Sequence, residues 1–290
     1  MGPGHPRLGR ARGVSAVRAA VALCVALVPA LAAAQEDAAS ETRWRVAVGA
    51  GVLSAPKFPG SDKQRTLALP VVLASLSYGR LFIGGEPAAG SAGGIGMRLY
   101  TDAHWRLAAG LSADLGHRKE SDDPRLTGLG DVDRTASAFV SAAYVAGPVT
   151  TRLRVASDIL GHDQGTLARL DVLGRARASE RVTVFAGPGV TWADRRYTQT
   201  FFGVSADQSA RSGLPQFDAG AGWNSARFSA GAILRIDARW SASAFAAYAR
   251  LQGDAADSPI TEDRSQVYAG VFLTYRFGNA PVSRETAAPL

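Results

Sequence analysis

The chain consists largely of short segments in which apolar and polar residues alternate. The alternation is clearest in Trp105–Leu115 and in Val267–Phe277, where every second residue is apolar. A period of two residues is that of a β-strand, because successive side chains of a strand point to opposite faces. Twelve such segments can be placed between Trp44 and Phe277. Most of them approach the roughly ten residues that a tilted strand needs to cross a bilayer. The pattern therefore predicts an all-β chain.

The connections between these segments alternate in length along the whole chain. Short ones fall at Tyr78-Gly79, Ala103-His104, Gly147-Pro148, Ala176–Glu180 and Asp237–Arg239. The others, which are mostly long, polar and rich in Gly, Asp and Pro, are Pro56–Arg65, Glu86–Gly93, Gly116–Arg134, Gly161–Gly165, Asp194–Pro215 and Gln252–Arg264. Outer-membrane barrels combine tight turns at one end with long loops at the other, whereas a soluble sandwich has no reason to do so. We predict a transmembrane antiparallel up-and-down β-barrel of twelve strands, with ten or fourteen as alternatives.

An even strand number places both termini on the same side and requires one continuous passage from Gln216 to Ile236. Asn224-Ser225 resembles a hairpin turn within this passage. We therefore expect Phe217–Trp223 to belong to the inner end of the preceding long loop or to a kinked strand top. Trp44, Trp105 and Trp240 each open an ascending strand, so we expect them in one girdle at the short-turn end.

The predicted register turns a set of charged residues towards the interior. Charges are tolerated in a barrel lumen and are costly on its lipid face. Two interpretations remain open, an anion-favouring channel and an arginine–aspartate network that fills a narrow barrel, and the second is favoured. The lumen-lining candidates are Arg98, Arg106, Asp114, Arg152, Arg154, Arg169 and Arg235, with Arg45, Asp158 and Asp171 on the same face.

The first 34 residues have the pattern of a secretory signal peptide. A basic segment is followed by apolar Ala19–Leu31, which is too short for a membrane-spanning helix, and by small residues that predict cleavage after Ala34. We expect a periplasmic segment at 35–43, the barrel at 44–277 and a disordered periplasmic tail at 278–290, in the outer membrane of a Gram-negative cell. Cleavage would remove Cys24, the one cysteine, and four arginines, and the net charge would fall from +7 to +3 because 28 basic and 25 acidic residues remain. Such a small excess does not indicate a nucleic-acid partner.

Candidate catalytic chemistry is sparse. His117 falls by alternation on the lipid-facing side near the outer rim, but no serine accompanies it in the pattern of an acyl hydrolase. The acidic loop residues could offer oxygens to Ca²⁺, yet their spacing is not that of an EF-hand, and turn and cap formation is the favoured interpretation. We therefore predict no catalytic residue, no metal site and no cofactor. The loop residues concerned are Glu120, Ser121, Asp122, Asp123, Asp131, Asp133, Asp254 and Asp257.

Several loop motifs resemble those of the MipA/OmpV family of outer-membrane proteins. They lie in Arg118–Asp133 and Leu251–Ile260, and the shorter motifs are Phe202-Gly203-Val204-Ser205, Ser212-Gly213-Leu214-Pro215 and Tyr275-Arg276-Phe277. The resemblance extends from Trp44 to Phe277. It implies a non-enzymatic barrel that acts as a scaffold between a periplasmic lytic transglycosylase and a penicillin-binding protein, embedded among outer-membrane lipid and lipopolysaccharide. Other members are porin-like or adhesins, so a narrow channel and a surface adhesin working through the long loops are the alternatives.

Overall fold

The computed structural model describes residues 44–76, 80–84 and 91–278 as a closed barrel of twelve antiparallel strands. This confirms the predicted fold class and strand number. The expected signal peptide, the segment up to Arg43 and all of the tail beyond Gly278 lie outside the described residues. The strands are β1 (Arg45–Pro56), β2 (Gln64–Leu76), β3 (Leu81–Gly84), β4 (Ser91–Thr101), β5 (Trp105–Asp114), β6 (Ala136–Ala146), β7 (Val149–Asp158), β8 (Thr166–Arg177), β9 (Val182–Ala193), β10 (Gly222–Arg235), β11 (Trp240–Leu251) and β12 (Ser265–Gly278).

The barrel closes where the first strand meets the last. β1 pairs with β12 from Arg45↔Gly278 to Ser54↔Ala269, and its other edge pairs with β2. Closure lets each strand find in its neighbours the hydrogen-bond partners that lipid cannot supply, although the short β3 pairs with β2 only at Ala74–Leu76. Among the described residues, no helix has the length and apolar character needed to span a membrane.

The outer face of the wall carries large apolar side chains. Val52, Ile95, Phe228 and Val271 are each at least 50 % exposed and point away from the lumen. Such a band is stable in contact with hydrocarbon and would be unfavourable in water.

Tryptophans mark both rims of this apolar band. Trp44, Trp105 and Trp240 lie together at the short-turn end, as expected, and are all exposed. Trp192 and Trp223 are cross-strand partners at the opposite rim. Aromatic residues at two levels match the interfacial girdles of membrane barrels.

The inner face is packed by phenylalanine rings that lie over glycines of neighbouring strands. Phe185 illustrates the arrangement, because its ring occupies the space that a side chain on Gly231 would need. Gly96 and Gly187 likewise have no room for a Cβ. The ring–glycine pairs are Phe82/Gly96, Phe139/Gly110, Phe185/Gly231, Phe245/Gly270 and Phe272/Gly51.

The chain between Gln216 and Ile236 crosses the barrel wall once, as an even number of strands requires. β10 begins at Gly222, and its register with β9 shifts between Trp223 and Ser225, so that Asn224 forms a β-bulge. Phe217 lies in the preceding loop, where it forms a bridge with Val204. The apparent hairpin signal at Asn224-Ser225 is therefore a bulge at a kinked strand top.

The ring–glycine packing predicts that Gly231→Val destabilises the barrel. A Cβ at this position would lie against Phe185 and only 2.6 Å from the carbonyl oxygen of Ala244. We expect a loss of about 1–3 kcal/mol, the usual cost of overpacking, measured by urea unfolding in detergent. Ala230→Val, one residue away on the exposed outer face, is the matched control. Equal losses in the two variants would contradict the packing argument.

Candidate functional site

The long connections fold together into a cap over one end of the barrel. The cap comprises residues 57–63, 115–135, 159–165, 194–221 and 252–264. It contains three helices, α1 (Arg195–Phe202), α2 (Ala206–Ser212) and α3 (Gly253–Asp257), and two 3-10 turns at Glu120–Asp122 and Pro124–Leu126.

Two small hydrophobic cores hold the cap together. The residue that joins them is Phe217, which packs against both. Each core draws residues from several loops that are distant along the chain, so no loop could bury its apolar residues alone. The first core is Val132, Phe201, Phe202, Ala219, Leu251 and Ala255, and the second is Phe58, Leu126, Leu129, Val204 and Ile260.

Local sequence signals fix the two longer helices of the cap. Asp194 caps α1 by accepting a hydrogen bond from the Tyr197 N–H at 2.8 Å. Ser205 and Gln208 form a reciprocal capping box at the start of α2, and Gly213, with φ of 76°, ends it in the left-handed region. These residue types satisfy the orphan backbone groups at helix ends. The loop from Asp194 to Pro215 is therefore ordered rather than a flexible tether.

Arg118 lies at the centre of the cap and is only 1 % exposed. Its Nη1 donates to the carbonyl oxygen of Phe201 at 2.7 Å, and its backbone pairs with Val132 in both directions. Burial lowers the pKa of Arg118 to about 10, an effect that Asp131 and Glu120 oppose. The hydrogen bond of this buried guanidinium links the β5–β6 loop to α1, and it offsets part of the cost of burying the charge.

The acidic loop residues singled out from the sequence act mainly as local hydrogen-bond acceptors. Glu120 and Asp122 do not form ion pairs with the nearby Arg118 and Arg125. Instead Glu120 accepts from the Gly130 N–H and Asp122 from the Lys119 N–H, while Arg125 donates to the carbonyl of Pro259. Asp123 pairs with Lys63, and Asp257 pairs with Arg264. The Asp131 carboxylate accepts from the Glu120 N–H, and that of Asp254 accepts from the Gly220 N–H. The carbonyl of Asp133 accepts from Gln164, and Ser121 lies in the first 3-10 turn.

His117 occupies a different position from the one expected. It is 8 % exposed and lies beneath the cap, with Arg65 Nη1 at 2.7 Å from its Nε2, instead of facing lipid at the rim. Alternation fails here because β5 ends at Asp114 and the chain turns inward before reaching His117. Burial is the main cause that lowers the pKa of His117. The imidazole is thus held in its neutral form against Arg65 as part of the cap base.

The predicted lumen residues lie on inner-facing positions of their strands. Arg98 stacks over Phe82 at 5.1 Å, and Arg154 stacks over Phe139 at 3.7 Å while donating to Ser112. Two further candidates form hydrogen bonds: Asp114 accepts one from Ser137 Oγ, and Arg235 donates one to the Glu180 carbonyl. Arg169 is the cross-strand partner of Arg154. Arg106 and Arg152 lie on either side of Ala143, which is the cross-strand partner of both.

Four inner-facing arginines were not anticipated from the sequence. Arg227 forms the most buried ion pair, with Asp171 at 2.5 Å, and was missed because the bulge obscured where β10 begins. Arg65 was missed because it was assigned to the connection Pro56–Arg65, whereas β2 begins at Gln64. Arg175 lies beyond the expected end of β8, and Arg276 lies near the end of the closing strand.

The interior charge is unevenly distributed between the two ends. The inner-facing carboxylates Asp114 and Asp158 lie towards the cap, and Asp171 lies near mid-height, where Arg227 neutralises it. Arg175 lies near the short-turn end, as do Arg106 and Arg152. The described lumen is therefore electropositive towards the short turns.

Within residues 44–76, 80–84 and 91–278, no group of three or more His, Cys, Asp or Glu side chains could hold a metal ion.

Comparisons with known proteins identify relatives of the whole barrel. The family model described as "MltA-interacting protein MipA" matches residues 48–277. The MltA-interacting protein of Escherichia coli K12 is 29% identical over 186 residues, which cover 63% of this chain and 74% of that protein. A second protein of the same strain, named as an outer membrane protein, YiaT, is 27% identical over 164 residues, covering 54% of this chain and 63% of its own. Among solved structures, the NanC porin aligns over 79% of this chain and 98% of its own with 9% identity and a TM-score of 0.39.

The position of Arg118 predicts that Arg118→Met loosens the cap. The variant loses the hydrogen bond to Phe201, and bonds to charged groups contribute about 1.5–3 kcal/mol. We expect faster proteinase K cleavage within 116–134 while the barrel stays folded. Arg125→Met removes a similar bond to a backbone carbonyl at an exposed position, so its cleavage rate should stay near that of the wild type. Unchanged cleavage in Arg118→Met would show that this bond does not hold the cap.

Proposed function

We propose that this chain, which belongs to the MltA-interacting protein MipA family, is an outer-membrane barrel that serves as a scaffold for a periplasmic lytic transglycosylase. The family match over residues 48–277 supports this role, because the E. coli relative is named for such an interaction. A penicillin-binding protein is the second partner that the scaffold would bring to the same place.

The observation that carries the proposal is the contrast between the two ends of the barrel. At one end the loops bury their apolar residues in the cap cores. At the other end the turns are short and internally bonded: the Asp102 carboxylate accepts from the backbone of His104 and Trp105, and that of Asp237 accepts from Arg239 and Trp240. In outer-membrane barrels the short turns face the periplasm, where a cell-wall enzyme would meet a rigid surface.

The short-turn surface is also basic. Exposed arginines surround the turns, at Arg80, Arg177, Arg181 and Arg239. A rigid surface of one charge favours a partner with a complementary acidic patch and accelerates encounter. This surface would attract the enzyme without requiring a large apolar interface.

The scaffold proposal predicts that charge reversal at the short turns weakens partner binding. We expect Arg177→Glu/Arg181→Glu/Arg239→Glu to reduce the affinity for the purified lytic transglycosylase of the same cell by at least tenfold, measured by surface-immobilised binding at low salt. The control reverses three exposed cap arginines, Arg125, Arg195 and Arg264, and should bind as the wild type does. Absence of binding by the wild type, or equal loss in both variants, would contradict this role.

A second candidate, a narrow anion-selective channel, is favoured by the arginines of the lumen. Arg152, Arg154 and Arg235 face inward, and the inner-facing arginines outnumber the inner-facing carboxylates in the described wall. The cap opposes free passage, because its cores lie across the other end.

The channel proposal predicts conductance that depends on these arginines. Refolded protein in planar bilayers should give discrete steps with anion preference, and Arg152→Glu/Arg154→Glu should reverse that preference. Arg250→Glu, on an exposed outward position of β11, serves as the control and should leave selectivity unchanged. A folded wild-type barrel that gives no steps would exclude the channel and leave the scaffold.

A further inference from the structure

His117 is a buried titratable side chain that links the cap to the barrel wall. It follows the end of β5 and is 8 % exposed. Its Nδ1 lies 3.1 Å from the carbonyl oxygen of Leu115, and Arg65, at the start of β2, places its Nη1 2.7 Å from Nε2. Arg65 Nη2 also donates to the Leu115 carbonyl at 3.2 Å. The cap base is therefore held against β2 by a contact between an imidazole and a guanidinium.

This contact requires a neutral imidazole. A neutral ring has one N–H donor and one lone pair, and a guanidinium can only donate. Because Nδ1 faces a carbonyl oxygen, the proton belongs on Nδ1, and the lone pair of Nε2 accepts from Arg65. Arg65 Nη1 is also 2.9 Å from Nδ1, but a protonated nitrogen has no lone pair to offer it. Protonation of Nε2 would place two donors and two positive charges against each other.

The charges around His117 are more positive than negative. Arg65 and Arg134 both disfavour the imidazolium, and Asp122 favours it. The Asp122 carboxylate is already engaged, because it accepts from the Lys119 N–H. Burial is the largest cause that lowers the pKa of His117 below its ordinary value of 6.5. The closed cap therefore binds a proton on this ring less readily than a histidine in water does.

Other ionisable groups of the cap base keep their charge or act with the opposite sign. Lys63 holds the pKa of the Asp123 carboxylate below its ordinary value, so this ion pair persists in mild acid. Tyr268, which packs against the hydrophobic cluster beneath the cap, is a phenol with an ordinary pKa of about 10. Burial and the charges of Asp123 and Asp62 raise the pKa of Glu262. Protonation of Glu262 removes a repulsion and so tightens the cap on acidification.

We propose that His117 and Arg65 form an acid-sensitive latch, which releases the cap base from β2 when the imidazole is protonated. The release reaches α1, because the next residue, Arg118, carries the bond to the Phe201 carbonyl. Long loops of outer-membrane barrels face the exterior, so the latch responds to acid outside the cell. The inference is independent of the scaffold role proposed above.

The sign of the effect follows from proton linkage. The pKa of His117 is lower in the closed cap than in an open cap, where the ring is exposed to water. Such a group contributes stability to the closed form above its ordinary pKa, and that contribution is lost as the pH falls. Acid therefore opens the cap through His117.

The test measures cap opening against pH in the refolded full chain. Proteinase K cleavage within 116–134 is compared between the wild type and His117→Gln at each pH, so that the pH dependence of the protease cancels. Glutamine keeps an acceptor for Arg65 and does not titrate. We expect the wild-type rate, relative to that of His117→Gln, to rise at least fivefold as the pH falls from about 7.5 to about 5, the range in which histidine titrates. His162→Gln, at an exposed histidine of the cap, should keep the acid response.

A second measurement follows the imidazole NMR signals of the wild type against pH. The His117 ring should titrate at a lower pH than the exposed His162 ring in the same spectrum. Arg65→Gln removes the neighbouring cation, so it should raise the His117 midpoint and lose most of the acid response in the cleavage assay. The proposal is overturned if the cleavage ratio stays constant across this pH range, or if His117 titrates at or above the midpoint of His162.

Discussion

The structure depends on one constraint, the need of every backbone N–H and C=O in the wall to find a partner within the sheet. Lipid offers none, so a sheet in the bilayer has to close on itself. The pairing of β1 with β12 closes the sheet, so each described strand has a neighbour on both sides. Because one face of each strand is committed to lipid, most charged side chains of the wall lie on the other. The arginine-lined interior is thus a result of closure as much as of selection for a function.

The same constraint explains how the interior is filled. Large side chains compete for space along the inner wall, and in the ring–glycine pairs each ring occupies the place that a side chain on the neighbouring strand would take. Arginines add their own packing, since Arg98 and Arg154 lie flat on phenylalanine rings. Stacking of this kind is favourable for guanidinium groups and leaves their edges available for hydrogen bonds. The same arginines therefore fill space in the lumen and carry its positive charge.

The wall could be predicted from the sequence and the cap could not. Alternation identified every strand and the inner-facing position of residues such as Arg106 and Arg154, because a strand in lipid has no other way to arrange its side chains. Its failures occur where the strand geometry ends or is interrupted. His117 follows the end of β5, and Arg227 follows the bulge at Asn224. The cap cores have no periodic signal, because Phe58, Leu126, Val204 and Ile260 meet from four separate loops.

The cap also bears on how this protein can diverge from its relatives. In many barrels the surface loops are independent of one another, so each one can be lengthened, shortened or replaced while the wall is preserved. Here Phe217 touches both cores, and each core is shared between loops, so a replacement in one loop alters the surroundings of residues in the others. If one loop were replaced by that of a homologue, its apolar residues would have to pack against core residues of the other loops, which they do not fit. The sequences of the cap loops therefore have to change together during evolution.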